Sequence, residues 1–501
     1  MNAEPAFKNE LVFAKNFYRE RGFTLGWFKE HKIVPQADTM LQVIAKADEE
    51  GLNSADYQII NFSEKLKQLE ESRKDTTRFK ELEKEIDVGL TATYLNWASD
   101  YYRGLVIPKK NEMVEWDVKR NKIKLHKALK TILGERESKY PYAQFKPLHQ
   151  QYANLKTALA RYRQIESKGG WKEIPSGVKL KEGQESAAVP LLRERLVDYL
   201  QNPDSTTSNV FDAELKAALR KFQEENGLAI TGTLNASTVA KLNMPIKEQI
   251  KQIIINMERW RWIPKSFEPN FIFVNIPEFK LRVYENSKEV MNMKVIVGKV
   301  LHETPVFSDK MEYVVLSPYW NIPPNILKNE IAPKAMMDPG WIDRMDMEVV
   351  TDKGIAVPSS SIDWSTAGND DFKYVVRKRP GPMNDLGDVK FIFPNAANVY
   401  LHDTPNDELF SQAKRGFSHG CVRVERPIDL AEYLLRNSGY SRSAILRQIS
   451  TRKEKFVALK EKLPVYLVYF TATADEKGRV HFFDDIYAHD KKLAALYFSK
   501  L

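Results

Sequence analysis

Residues 415–427 read RGFSHGCVRVERP and hold the single cysteine of a 501-residue chain. The stretch divides into a turn and a strand. Gly420 permits a tight backbone reversal just before Cys421, and CVRV alternates with the period of two that marks a β-strand. Upstream, NVYLHDTP (398–405) alternates in the same way and sets His402 at a strand end. Cysteine chemistry requires a thiolate, a base for the thiol proton and donors for a tetrahedral oxyanion. Two neighbouring strands bring an imidazole and a thiol within hydrogen-bond reach, and the turn aims the amides of Gly420 and Cys421 at one point. Against this, a lone cysteine on a strand is most often a small buried hydrophobe, and a lone histidine there is most often structural. Spacing alone does not choose.

Outward from this stretch the chain keeps a sheet-like pattern. FIFVNIP, KLRVYE, MKVIVG, MEYVVLSPYW, VKFIFPN and VYLVYF are short β-branched and aromatic runs separated by turns. IPPNILKNEIAPKAM and IDLAEYLLRN read as helices, the second opened by Pro427 in its first turn. Residues 320–390 hold few clear strands and many Pro, Gly and Ser, the character of an insertion that forms a lid over a site.

N-terminal to the sheet the period is helical. Over 1–165, Leu41-Val43-Ile44, Ile59-Ile60 and the run from Leu90 through Trp97 to Leu105 recur at helical spacing. The charge-dense run EKLKQLEESRKDTTRFKELEKEID reads as a solvated helix face. ESKGGWKEIPSGVKLKEG (166–183) is a boundary. Three helices follow over 184–243: VPLLRERLVDYL, then FDAELKAALRKFQEENG with Asp212 as N-cap and Gly227 past its end, then a third capped by Asn235. IKEQIKQIIINMERWRWIP (246–264) is a further helix. The fold expected is multidomain α+β. It comprises a helical domain over 1–183 completed by 246–264, a three-helix domain over 184–245, and a mainly β domain over 246–501 with its insertion at about 320–390.

Composition bounds the function. The formal charge of +9 suits a polyanionic neighbour, but no aromatic-interleaved basic stripe or nucleic-acid motif accompanies it, and no nucleic-acid partner is expected. No apolar run approaches the ~20 residues of a membrane span. One cysteine excludes a disulfide framework and a CxxC zinc site, and the eight histidines show no metal-ligand spacing. Neither a metal nor a cofactor is expected. The start, MNAEPAFKNE, lacks the basic and apolar segments of an export signal.

Taken together, His402, the fifteen residues after it and then SHGCVR resemble the signature of the L,D-transpeptidases with a YkuD-type catalytic domain. RPGPMNDLGDVKFIFPN, SPYWNIPPNIL and NMERWRWIP extend the resemblance to the large YcbB-like subgroup. That subgroup joins a helical scaffold, a peptidoglycan-binding domain and a catalytic domain with a capping insertion. FDAELKAALRKFQEENGLAITGTLNASTVAKLN resembles the three-helix peptidoglycan-binding domain. The resemblance implies Cys421 as nucleophile and His402 as base and later proton donor. It further implies the Asp403 carbonyl as the group orienting the imidazole, and the Gly420 and Cys421 amides as oxyanion hole. Tyr400 and Trp320 match substrate-side aromatics. Ser418, His419 and Arg423 complete the expected substrate-binding set, His419 as a positioning residue and Arg423 as either a partner of a stem-peptide carboxylate or a bridge between strands. The implied partners are peptidoglycan stem peptides, a tetrapeptide donor and a diamino-acid acceptor, with glycan at 184–245. The implied location is periplasmic or facing the wall, the export signal being removed. Alternatives from the same residues are a cysteine carboxypeptidase or endopeptidase of peptidoglycan, and a non-catalytic wall-binding scaffold.

Overall fold

The computed structural model describes residues 10–57, 61–108, 116–118, 124–134, 149–201, 208–264 and 266–499; the Ile59-Ile60 pair lies outside them. The chain forms two compact units, one of residues 1–266 with 470–501 and one of 267–469.

The first unit is helical. Its longest helix, Thr76–Arg103, is N-capped by Asp75, whose carboxylate accepts from the amides of Thr77 and Arg78. Phe17, Trp27, Met40, Leu90, Tyr94 and Trp97 pack in its main core. The charge-dense run is only partly solvated. Glu83 and Asp87 are buried, because Asp87 accepts from the Gly26 and Trp27 amides and the Tyr18 hydroxyl and Glu83 meets His31 at 3.0 Å. A charged residue can enter a core when its oxygens are all used.

The small three-helix domain follows its expected caps. Asp212 accepts from Leu215 N at 2.8 Å, and Asn235 from Thr238 N at 2.9 Å. Its core of Val189, Leu192, Phe211, Leu215 and Leu219 also takes in Ile174, so the boundary segment 166–183 contributes to this domain. Helix Ile246–Trp262 belongs to the first unit, as does the tail 470–501, which the sequence pattern had assigned to the β domain. The reason is a shared set of polar bonds. Asn256 bonds both the hydroxyl and amide of Thr471, Arg259 pairs with Asp490, and the Trp260 ring stacks on Phe470 at 4.3 Å.

The second unit is built on nine strands: β1 (Phe271–Asn275), β2 (Lys280–Glu285), β3 (Lys288–Gly298), β4 (Phe307–Leu316), β5 (Val389–Ile392), β6 (Leu401–His402), β7 (Gly416–Ser418), β8 (Val422–Val424) and β9 (Lys455–Val468). The order is β7-β3-β8-β6-β5-β4-β9-β1-β2, and β2 also pairs with β3, so the pairings close a ring. The insertion is more ordered than its composition suggests. Trp320–Asn321, Tyr374–Lys378, Met347–Thr351 and Ala356–Val357 form a separate antiparallel sheet, packed on a core that includes Ile331, Ile342, Val349 and Trp364. Such short strands carry too few residues for alternation to show.

Candidate active site

Strand register assembles the site. Strand β6 lies between β5 and β8, with His402 opposite Lys390 on one side and Arg423 on the other. Side chains in register share a face, so Lys390, His402 and Arg423 form one row. The same period places Tyr400 and Cys421, each two residues earlier, beside that row. Val422 N donates to Tyr400 O at 3.1 Å and ties the two strands where the thiol begins.

His402 is buried. Its Nδ1 lies 2.6 Å from the carbonyl oxygen of Asp403. A carbonyl only accepts, so Nδ1 carries the proton and Nε2 keeps its lone pair. Burial, then the Arg423 charge, lowers the imidazole pKa to about 3, with Lys390 adding to the effect and the Asp403 carbonyl opposing it. The ring is neutral in the resting site, with its Nε2 lone pair unprotonated. The Asp403 carboxylate points elsewhere, accepting from the amides of Asp388 and Thr404 at 2.7 Å each. Gly387 gives it room, since a Cβ there would collide with that carboxylate.

Cys421 is half-buried. Burial raises its thiol pKa, against the neighbouring Tyr400 and the charges of Lys390 and Arg423. Among the described residues no hydrogen bond joins Sγ to the His402 ring. Nucleophile–base contacts often tighten only once substrate is bound. Trp320 of the insertion neighbours the Tyr400 hydroxyl. The Lys378 ammonium lies 5.9 Å from the centre of the Trp320 ring.

The SHGC turn is braced from within. Gly420 has φ +109°, a conformation natural to glycine alone. Its carbonyl accepts from Thr304 Oγ1 at 2.8 Å, and Thr304 in turn accepts from Gly298 N at 2.9 Å. Its amide donates to Ser418 Oγ at 3.2 Å, while Cys421 N makes no hydrogen bond among the described residues. Of the two expected oxyanion donors, Cys421 is therefore free and Gly420 is already engaged. Ser418, expected to bind substrate, is buried and donates to the Cys421 carbonyl, so its hydroxyl is spent on the turn. His419 turns outward to Glu330 of the insertion, 2.9 Å from Nε2 to Oε1, with the His302 ring 5.0 Å away. Arg423 Nε is buried without a partner.

Sequence reasoning passed over Lys390, Thr304, Glu330 and His302. Lys390 had a signal: it is the lone charge in VKFIF, on the face opposite Val389 and Phe391. No group of three or more potential metal ligands occurs among the described residues, and no helix there is long and apolar enough to cross a membrane.

With this geometry in place, comparison with known proteins assigns the class. Residues 269–452 match the L,D-transpeptidase catalytic domain (YkuD), residues 13–159 the scaffold domain and residues 185–242 the putative peptidoglycan binding domain. The chain thus carries a domain of the L,D-transpeptidase catalytic (YkuD) type, preceded by a scaffold domain and a putative peptidoglycan binding domain. It is 35% identical over 243 residues to a protein of Haemophilus influenzae named putative L,D-transpeptidase, a match spanning 48% of this chain and 49% of that relative. The chain therefore spans about half the length of that curated relative. Two solved structures are also similar. The L,D-transpeptidase of Xylanimonas cellulosilytica is 13% identical, covering 59% of this chain and all of that one, with a TM-score of 0.18. The Ldtfm-avibactam carbamoyl enzyme is 9% identical, covering 63% and 96%, with a TM-score of 0.17. Scores this low add nothing to the fold assignment.

Proposed function

We propose that this protein is a peptidoglycan L,D-transpeptidase that forms 3→3 crosslinks through a thioester on Cys421. The Cys421 sulfur attacks the carbonyl joining the stem-peptide diamino acid to its terminal D-alanine, and the thiol proton passes to His402 Nε2. The carbonyl oxygen gains the negative charge and is met by the free Cys421 N–H. The bond to D-alanine then breaks, His402 returns the proton to the leaving amine, and a thioester remains. An amine from a neighbouring stem's diamino acid attacks next, its proton goes to His402, and the thiolate is released. The two flanking domains, one of them peptidoglycan-binding, favour a location outside the cytoplasm at the wall.

The observation that carries this reading is the fixed His402 tautomer, one strand away from the chain's single thiol. An insertion that reaches the thiol through Trp320 and Tyr400 suits a thioester that must meet an amine before water. Incubation with purified disaccharide-tetrapeptides tests it by product mass. The reading expects dimers lighter by D-alanine; tripeptides alone would mean a carboxypeptidase.

A further inference from the structure

We propose that Lys390 is a positioning residue of the thiol site, its ammonium held against the Tyr400 ring and in register with His402 so that its charge stabilises the Cys421 thiolate. This rests on the reading of Cys421 as the nucleophile.

The geometry is specific. Lys390 and Arg423 flank His402 across three adjacent strands, and Lys390 Nζ sits 3.8 Å from the centre of the Tyr400 ring. That ring belongs to the residue beside the sulfur. A cation on an aromatic face is held in place without needing a carboxylate. Among the described residues none pairs with it: Glu454 acts on Lys390 only at longer range, as Asp385 does on Arg423. Burial lowers the Lys390 pKa, and the largest opposing influence is Cys421 itself. Two half-buried cations around a neutral thiol and a neutral imidazole leave positive charge unbalanced, and the thiolate is the group that offsets part of it.

The two cations divide the task. On the sulfur, Lys390 acts more strongly than Arg423; on the imidazole, Arg423 acts more strongly than Lys390. Equal action on both would cancel, because a charge that favours a thiolate disfavours an imidazolium. The offset lets Lys390 favour the attacking form of sulfur more than it disfavours the imidazolium, while Arg423 holds the ring neutral in the resting site. The groups facing the sulfur are therefore Tyr400, Lys390 and Arg423, with His402 beside them.

Because Cys421 is the only cysteine, alkylation by iodoacetamide can be read from intact mass as a function of pH, and the uncharged reagent is not itself drawn by Lys390. Lys390→Met should move the alkylation midpoint up by about one to three pH units, so that the rate at neutral pH falls about tenfold or more. Lys390→Arg should keep the midpoint near that of the parent. Arg423→Met should move the His402 NMR titration toward the ordinary imidazole range more than it moves the thiol. An unchanged midpoint in folded Lys390→Met, or an equal shift in Lys390→Arg, overturns the proposal. Should Lys390→Met not fold, Lys390→Gln removes the charge while keeping a polar stem and is read the same way. If the midpoint shifts but the parent protein makes no crosslinked dimers, the proposed function falls and the role of Lys390 stands. If dimers form and the midpoint stays put, only this inference falls.

Discussion

Two clusters of buried charge, one in each unit, are built in opposite ways. In the first, Glu258 and Arg261 are both fully enclosed and 2.9 Å apart. Glu258 also accepts from Val106 N, and Arg261 donates to the Glu50 carbonyl and the Tyr152 hydroxyl. In the second, Lys390 and Arg423 stand around a thiol and a neutral imidazole with no carboxylate in contact among the described residues. The first arrangement is closed electrostatically and holds helices together. The second is open, as the proposed thiolate chemistry at Cys421 requires. The contrast teaches that a cation left unpaired beside a nucleophile is a better mark of function than burial or perturbed acidity alone.

The largest effect that would sharpen this contrast is on rate. Cys421→Ala should lower crosslinking by at least about a thousandfold while leaving the melting curve in place, as seen by product mass and calorimetry. Glu258→Ala should do the reverse. Stranding Arg261 should cost the fold about 3–5 kcal/mol in denaturant unfolding, with the Cys421 alkylation midpoint of the folded protein unchanged.

Acidity comes next. Because the folded His402 pKa is about 3 against 6.5 for a free imidazole, the unfolded chain holds a proton on this ring between those values that the folded chain does not. Its contribution to stability is thus complete above about pH 6.5 and is lost as pH falls toward 3. Asp403, whose carboxyl burial pushes up to about 6, has the opposite sign. The difference in unfolding free energy between the parent and His402→Gln, followed over this range, isolates the histidine and should shift against the parent on acidification.

Two smaller effects complete the comparison. Asn235→Ala should cost about 1 kcal/mol through its lost N-cap without altering thiol reactivity. Lys390→Met should leave stability within about 0.5 kcal/mol, as for a side chain with no partner to strand. A large loss there would place Lys390 with the structural charges.

How far the sequence carried these features follows from the range of the interactions. Most strands of the second unit, the helix caps at Asp212 and Asn235 and the His402–Cys421 strand pair depend on local alternation or on neighbours within a few residues and were legible, whereas the three-residue strand Gly416–Ser418 read as part of a turn. The four-stranded sheet of the insertion was not, because its strands have two to five residues. Nor was the burial of Glu83 and Asp87, since a helix face rich in charge looks the same whether water or a remote amide answers it. The tail 470–501 went to the first unit through Thr471 and Asp490, whose partners lie more than two hundred residues earlier. Lys390 escaped for the same reason, its meaning coming from Tyr400, His402 and Cys421 on two other strands. The SHGC turn was legible as a turn, but not as one that consumes the Ser418 hydroxyl.

The most direct test is to weigh the intact protein during turnover. After brief incubation with a disaccharide-tetrapeptide and an acid quench, the account predicts an added mass equal to the donor less D-alanine. That mass should be located at Cys421 and absent from Cys421→Ala. A parent protein that turns the donor over without ever gaining that mass, or a Cys421→Ala protein that gains it, would contradict the thioester.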